Sequence, residues 1–244
     1  MDRRPPRMIE VVALDGDDTL WHSEQLFVDT QASFRELVAP YVEVDDAQLD
    51  ALLLEVERRN LPTFGYGVKA FTLSLIKTAI EVTGGKIPAG RLQAVLDLGK
   101  VLLDHPVHLL DGVAETVDEL TDRYRVMVIT KGDLLHQETK VVRSGLEEVL
   151  WRVEIVSEKD EPTYQRILDR HGIEPATFVM VGNSVRSDVL PVLALSGHAV
   201  HIPYHVTWGL EQVDPHPDHT FPVLTSIREL PACIRKLDGA GPGA

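Results

Sequence analysis

The sequence predicts an α/β fold, a doubly wound and mainly parallel sheet interrupted by an all-helical insertion. Three observations carry that prediction. First, short apolar runs recur at residues 9–14, 126–129, 153–156, 178–181 and 199–202, and amphipathic segments separate the last four. Strands buried on both faces read as continuous apolar runs of this kind, and alternation with helices implies parallel pairing. Second, Asp15, Thr130, Ser157, Gly182-Asn183 and Pro203 stand at or just past the ends of these runs. In open α/β sheets that edge binds ligands. Third, the stretch between the first two runs is far too long for an ordinary crossover and reads as helix throughout.

Taken in chain order, residues 9–14 form the first strand. Helical segments follow at 23–39, 45–59, 68–82 and 89–103, separated by Pro40, a loop over 60–67 and Gly84-Gly85. The insertion is expected to span 23–107, as a helical domain set into a discontinuous core of 1–22 and 108–238. The core pattern resumes at Asp111-Gly112, where Val113, Val117 and Leu120 mark one helical face. Segments 134–143, 162–171 and 184–195 supply the later crossovers. The tail after Leu237 is rich in Gly and Ala, and residues 239–244 are expected to be disordered.

Composition narrows the classes of function. About 44% of residues are hydrophobic, enough for a substantial core, and no apolar run approaches the roughly 20 residues that cross a bilayer. The formal charge of −14 sets a repulsive field against nucleic acid and anionic membrane, so neither is an expected partner. The apolar stretch after the basic N-terminus is too short for a secretory signal, and the single cysteine, Cys233, leaves no internal disulfide. A cytoplasmic location is expected. The oligomeric state is not legible, a homodimer being among the open assemblies.

The first strand runs into Asp15-Gly16-Asp17-Asp18-Thr19-Leu20. Three carboxylates in four positions repel one another unless hydrogen-bond donors or a cation compensate. A solvated acidic turn is one reading, and a magnesium site is the other, since Mg²⁺ takes a few carboxylate oxygens and keeps waters. Thr130 after the second run, Lys159 after the third and Asp188 after the fourth favour the second reading. In order and strand context, Asp15-x-Asp17-x-Thr19, Thr130, Lys159 and Asp188 resemble the four motifs of the haloacid dehalogenase-like hydrolases. The resemblance runs from Ile9 to about Tyr204, and the insertion resembles the helical cap that many members carry on a Rossmann-like core.

That resemblance implies a phosphohydrolase of small phosphorylated metabolites. Asp15 would be the nucleophile, Asp17 the acid and base, and Thr130 and Lys159 would bind the phosphoryl group. Mg²⁺ would sit on Asp15, Asp188 and the backbone carbonyl of Asp17. Members that cleave carbon–halogen or carbon–phosphorus bonds generally lack an acid at the position of Asp17, so its presence points to phosphate esters; mutases keep it. Two positions depart from the family pattern. Asn183 replaces an acid commonly found beside the metal, which weakens the expected site, and Lys131 replaces a common asparagine, as an added cation for phosphate or a surface lysine. A non-catalytic binding protein, a haloacid dehalogenase and a phosphomutase stand as alternatives.

Arg58, Arg59 and Lys69 flank the 60–67 loop and are candidate substrate contacts or solvated helix ends, while Phe64 and Tyr66 are expected to pack. Trp21 lines the site or packs at the hinge. His198 and His201 are three apart on a strand, on opposite faces, so they should not share a metal with each other or with His205. The His216-Pro217-Asp218-His219 segment reads as a loop, and Cys233 as a buried structural thiol. No phosphate-binding P-loop or dinucleotide glycine motif is present.

Overall fold

A computed structural model of the chain describes residues 9–213 and 220–239. Five strands form one sheet: β1 (Val11–Leu14), β2 (Arg125–Lys131), β3 (Arg152–Val156), β4 (Phe178–Gly182) and β5 (His198–His201). Their order is β3-β2-β1-β4-β5 and every neighbouring pair is parallel. β1 is central, in register Val12↔Val126 on one side and Val12↔Val179 on the other. The chain winds outward through β2 and β3, then returns to the far side of β1 for β4 and β5. The crevice beyond the carboxyl end of β1 is therefore the topological switch point.

Helices α1 (Glu24–Val38), α2 (Asp46–Phe64), α3 (Val68–Val82) and α4 (Ala89–Asp104) lie between β1 and β2. They are followed by α5 (Val113–Thr121), α6 (Leu134–Ser144), α7 (Glu161–His171), α8 (Leu190–Ala194) and α9 (Leu230–Gly239). The two-residue period of the strands divides the core. Val12, Leu14, Val126, Val128, Val179 and Val181 pack with Val117 of α5, Val141 of α6 and Ile234 of α9. Their neighbours Val11, Ala13, Met127, Ile129, Phe178 and Met180 pack on the opposite face with Tyr164 and Ile167 of α7 and Val192 of α8. Helices α1 to α4 build a cluster of their own around Phe34, Leu53, Val68, Leu75, Val95 and Leu102.

Three boundaries differ from the sequence reading. The expected loop over 60–67 is helical through Phe64 despite Pro62, because buried Asn60 donates to Ser74 Oγ of α3 at 3.0 Å and holds the added turn in place. Gly65, at φ 70°, then ends α2. The crossover expected as one helix over 184–195 opens with a π-helical turn, Val185–Val189, before α8. The C-terminal helix extends through Asp238 and Gly239, since the Asp238 carboxylate accepts hydrogen bonds from Ile9 N at 2.7 Å and Tyr124 Oη at 2.6 Å. Residues 240–244 and the His216–His219 segment lie outside the described residues. Among the described residues no helix is long and apolar enough to cross a membrane.

Candidate active site

The loop after β1 is shaped around Gly16. Its carbonyl accepts from Leu20 N at 2.8 Å, and Asp18 turns the chain at φ 62° while its N–H donates to Trp21 O at 2.7 Å. The Asp18 carboxylate receives Ser23 N at 2.8 Å and Glu24 N at 3.0 Å, so it caps the start of α1. The third acid of the cluster is thereby engaged by the helix, although it lines the crevice with Asp15 and Asp17.

Lys159 joins the ends of three strands. Its buried ammonium donates to Asp15 Oδ1 and, at 2.6 Å, to Asp188 Oδ1. Asp160 fixes it from behind by capping α7, accepting from Thr163 N at 2.9 Å. Asp188 comes from the π-helical turn after β4, and its Oδ2 accepts Ser184 N at 3.0 Å. Gly182 at the end of β4 makes room, because a Cβ there would overlap the Asp188 carboxylate. Burial pushes the Asp15 pKa up to about 7; Lys159 pulls it down, and the charges of Asp188 and Asp17 add to the rise. Burial alone would depress Lys159, but the two carboxylates outweigh it and hold the ammonium above its ordinary value.

Asp17 is gripped by three donors. Trp21 Nε1 lies 2.6 Å and Lys140 Nζ 2.7 Å from its Oδ1, and Gln137 Nε2 lies 2.8 Å from its Oδ2. Burial would raise its pKa, yet Lys140 and the other donors prevail and hold it below the usual carboxylate range. Trp21 is both core and site, since its ring is buried in the sheet cluster while its N–H fixes Asp17. Lys140 and Gln137 were not read from the sequence.

A Cβ on Gly16 would stand 2.7 Å from Trp21 Cζ2 and 3.2 Å from Thr130 Oγ1. The indole cannot retreat without releasing Asp17. Gly16→Ala is expected to cost about 1–3 kcal/mol through overpacking. Urea unfolding measures this directly, and an unchanged midpoint would mean that the ring gives way freely.

Thr130 is buried on β2, and Lys131 follows it. The Lys131 ammonium is no surface group: it contacts Glu211 Oε1 at 2.5 Å and Ser187 Oγ at 2.9 Å, and lies 4.2 Å from the centre of the Tyr66 ring. Glu211 also accepts from Ser184 Oγ and Ser187 Oγ, each at 2.6 Å.

Between the sheet edge and the helical insertion lies a cavity of about 190 Å³. Asp15, Asp17, Thr130, Lys131, Lys159, Asn183 and Asp188 all line it. Arg58, Arg59 and Lys69 do not: they pair with Glu55 at 2.6 Å, Glu81 at 2.7 Å and Asp133 at 2.9 Å. The insertion instead contributes Phe27, Phe71, Glu24, Glu57 and Tyr66 to the wall. Burial raises Glu24 to about 8, with Asp18 and Glu57 adding to the rise, and raises Glu57 to about 7 against a weak pull from the Trp208 N–H. Phe64 is 50% exposed and does not pack, whereas Tyr66 meets Trp208 edge-on at 6.0 Å. His198 and His201 approach different carbonyls, those of Ala176 and Asn183. Cys233 is half-buried against the sheet cluster.

The donor set suits a hard cation. Asp15 and Asp188 share one ammonium, so with both ionised the pair would carry excess negative charge. Two carboxylates, with the Asp17 carbonyl and Asn183 in the same wall, fit Mg²⁺, which completes its shell with water and substrate oxygen. Among the described residues no three His, Cys, Asp or Glu side chains form a metal cluster.

Comparison with known proteins bears on the family and the fold. The family model described as haloacid dehalogenase-like hydrolase matches residues 9–194. A haloacid dehalogenase-like family hydrolase from Xanthomonas campestris is 41% identical, with 98% of this chain and 96% of that one covered at a TM-score of 0.85. A 2-haloacid dehalogenase from Pseudomonas syringae shares the fold at 22% identity and a TM-score of 0.62, over 94% of this chain and 99% of that one. A predicted phosphoglycolate phosphatase from Haemophilus somnus does so at 13% identity and 0.63, over 93% and 99%. No curated protein matches the chain in sequence. With a family model spanning most of its length and a relative of 41% identity aligned over nearly all of it, this chain belongs to the haloacid dehalogenase-like hydrolases.

Proposed function

We propose that the protein hydrolyses small phosphate monoesters, with Asp15 as nucleophile and Asp17 as acid and base. The observation that carries the reading is the pairing, in one cavity, of Asp15 held by Lys159 with a second aspartate held separately by Trp21, Gln137 and Lys140. Breaking a carbon–halogen bond releases halide and needs no proton donor. Breaking a phosphate ester releases an alkoxide that does, and a positioned Asp17 answers that need.

In the first step an Asp15 carboxylate oxygen attacks phosphorus. The ester P–O bond breaks, and the leaving oxygen takes a proton from Asp17, leaving an aspartyl-phosphate and a free alcohol. The donors around Asp17 keep it ionised at rest, so the proton it passes on is the one carried by the phosphate monoanion, which gives it to Asp17 on binding before Asp17 hands it to the leaving oxygen. In the second step ionised Asp17 removes a proton from water as the water oxygen attacks phosphorus, which restores Asp15 and releases phosphate. Lys159 and the Thr130 hydroxyl stabilise charge on the phosphoryl oxygens. Bound Mg²⁺, on Asp15, Asp188 and the Asp17 carbonyl, would offset the repulsion between nucleophile and phosphate.

The helical insertion serves in this reading as a lid. Tyr66 Oη donates to Glu158 at 2.6 Å and Lys69 bonds Asp133 at 2.9 Å, both bridging insertion and core, and these contacts part to admit substrate. Purified protein with Mg²⁺ is expected to release phosphate from p-nitrophenyl phosphate and from members of a phosphorylated-metabolite panel. No chloride should be released from 2-chloropropionate. Chloride release without phosphate release would replace this reading by dehalogenation. Absence of all turnover, with no thermal response to Mg²⁺, would favour a binding protein.

A further inference from the structure

We infer that the leaving-group end of the cavity is built to receive an ammonium, so that the favoured substrates are phosphate esters of amino alcohols. The inference rests on the phosphohydrolase reading and deepens it. Each lysine in the cavity wall is already engaged by a carboxylate: Lys159 with Asp15 and Asp188, Lys140 with Asp17, Lys131 with Glu211. On the insertion side the charged wall residues are Glu24 and Glu57, with no cation beside them in the wall. After burial, the strongest influences on Glu24 are the charges of Asp18, Glu57, Asp17 and Glu211, all acidic. Glu57 receives one weak hydrogen bond, from Trp208 Nε1 at 3.4 Å.

Aromatic rings surround this acidic end. Phe27 and Phe71 meet edge-on at 5.1 Å, and Trp208 stands in the same wall. Carboxylates combined with aromatic faces recognise alkylammonium groups, by ion pairing and by attraction to the ring quadrupole. An ammonium would offset the cost that burial sets on ionising the two glutamates, whereas a leaving group bearing a carboxylate or a second phosphate would add to that cost. Gln137 gives an independent sign of a donor-bearing ligand. It lines the same cavity, is 2% exposed, spends its Nε2 on Asp17 and the Lys131 carbonyl, and its Oε1 accepts no hydrogen bond. A buried acceptor without a donor is costly unless a ligand completes it.

The test compares two nearly isosteric esters, 2-aminoethyl phosphate and 2-hydroxyethyl phosphate, in the presence of Mg²⁺. Wild type is expected to favour the amine in kcat/KM by about tenfold or more, the scale of a charge-assisted contact. Glu24→Gln and Glu57→Gln are each expected to bring that ratio toward one, a readout that loss of stability alone would not move. A wild-type ratio at or below one, or a ratio unmoved in both variants, overturns the inference. Calorimetric binding of the two esters to Asp15→Asn protein separates the two readings, since it needs no turnover. If wild type hydrolyses no ester, the phosphohydrolase reading fails, and the order of binding alone decides: tighter binding of the amine supports the ammonium site, and equal or weaker binding overturns it.

Discussion

Asp15→Asn is expected to remove phosphatase turnover, by a factor on the order of 10⁴ to 10⁶ as for other covalent nucleophiles, while leaving the protein at least as stable as wild type above pH 7. The two halves have one cause. Asp15 is buried beside two other carboxylates, and its pKa stands at about 7 against an ordinary 3.8. A carboxylate raised in this way leaves stability intact below its unfolded pKa, and the stability falls as pH rises from there through the folded pKa. Asparagine carries no charge and escapes that loss, while Lys159 keeps Asp188 as its partner at 2.6 Å. Melting curves at pH 8 should therefore place the variant level with or above wild type, and the difference should shrink toward pH 4. Added Mg²⁺ should raise the wild-type melting temperature and raise that of the variant less. Turnover within tenfold of wild type would remove Asp15 from the nucleophile role.

The sheet was legible because its three central strands are buried on both faces. Val11–Leu14 and Phe178–Gly182 are apolar or glycine throughout and can be nothing exposed. The candidate site was legible because Asp15 follows β1, Thr130 ends β2, and Lys159 and Asp188 come within a few residues of β3 and β4, and a parallel sheet brings such positions together. The leaving-group wall was not, because its members come from different elements that meet only when the insertion folds over the sheet: Glu24 of α1, Glu57 of α2 and Trp208 of the loop after β5. Arg58 is adjacent to Glu57 in sequence, yet a step of about 100° around the helix turns it to Glu55 and away from the cavity. Lys140 left a weaker trace. It is three residues from Gln137 on α6, the spacing that places two side chains on one helical face, and both reach Asp17. The hydrophobic pattern says nothing about such a polar pair. Asp18 received no role of its own from the sequence, since a carboxylate that caps α1 is indistinguishable there from one that faces a metal.

Lys159→Met should be the most destabilising single change in the site, at about 3–5 kcal/mol near neutral pH, the cost of breaking a buried ion pair from one side. The ammonium is shared by Asp15 and Asp188, whose side chains are 10% and 1% exposed, so its removal strands two buried negative charges facing each other. The dependence on pH follows from which groups then titrate. In wild type Lys159 is raised by its partners, so its contribution is full below its unfolded value and fades only as alkali exceeds the folded one. In the variant Asp15, already raised by burial, loses the ammonium that pulled it down and moves further up. Its protonation relieves the repulsion, so the loss in stability should be small near pH 4 and grow as pH rises toward 8. Mg²⁺ should restore part of it, because a divalent cation can take over the charge that the ammonium balanced, even though phosphoryl transfer stays impaired without Lys159 to hold the transferring group. Urea unfolding at pH 4, 6 and 8, with and without Mg²⁺, measures all three effects. A deficit independent of pH would mean that Lys159 contributes through packing alone, and that Asp15 and Asp188 are not held ionised together by its charge.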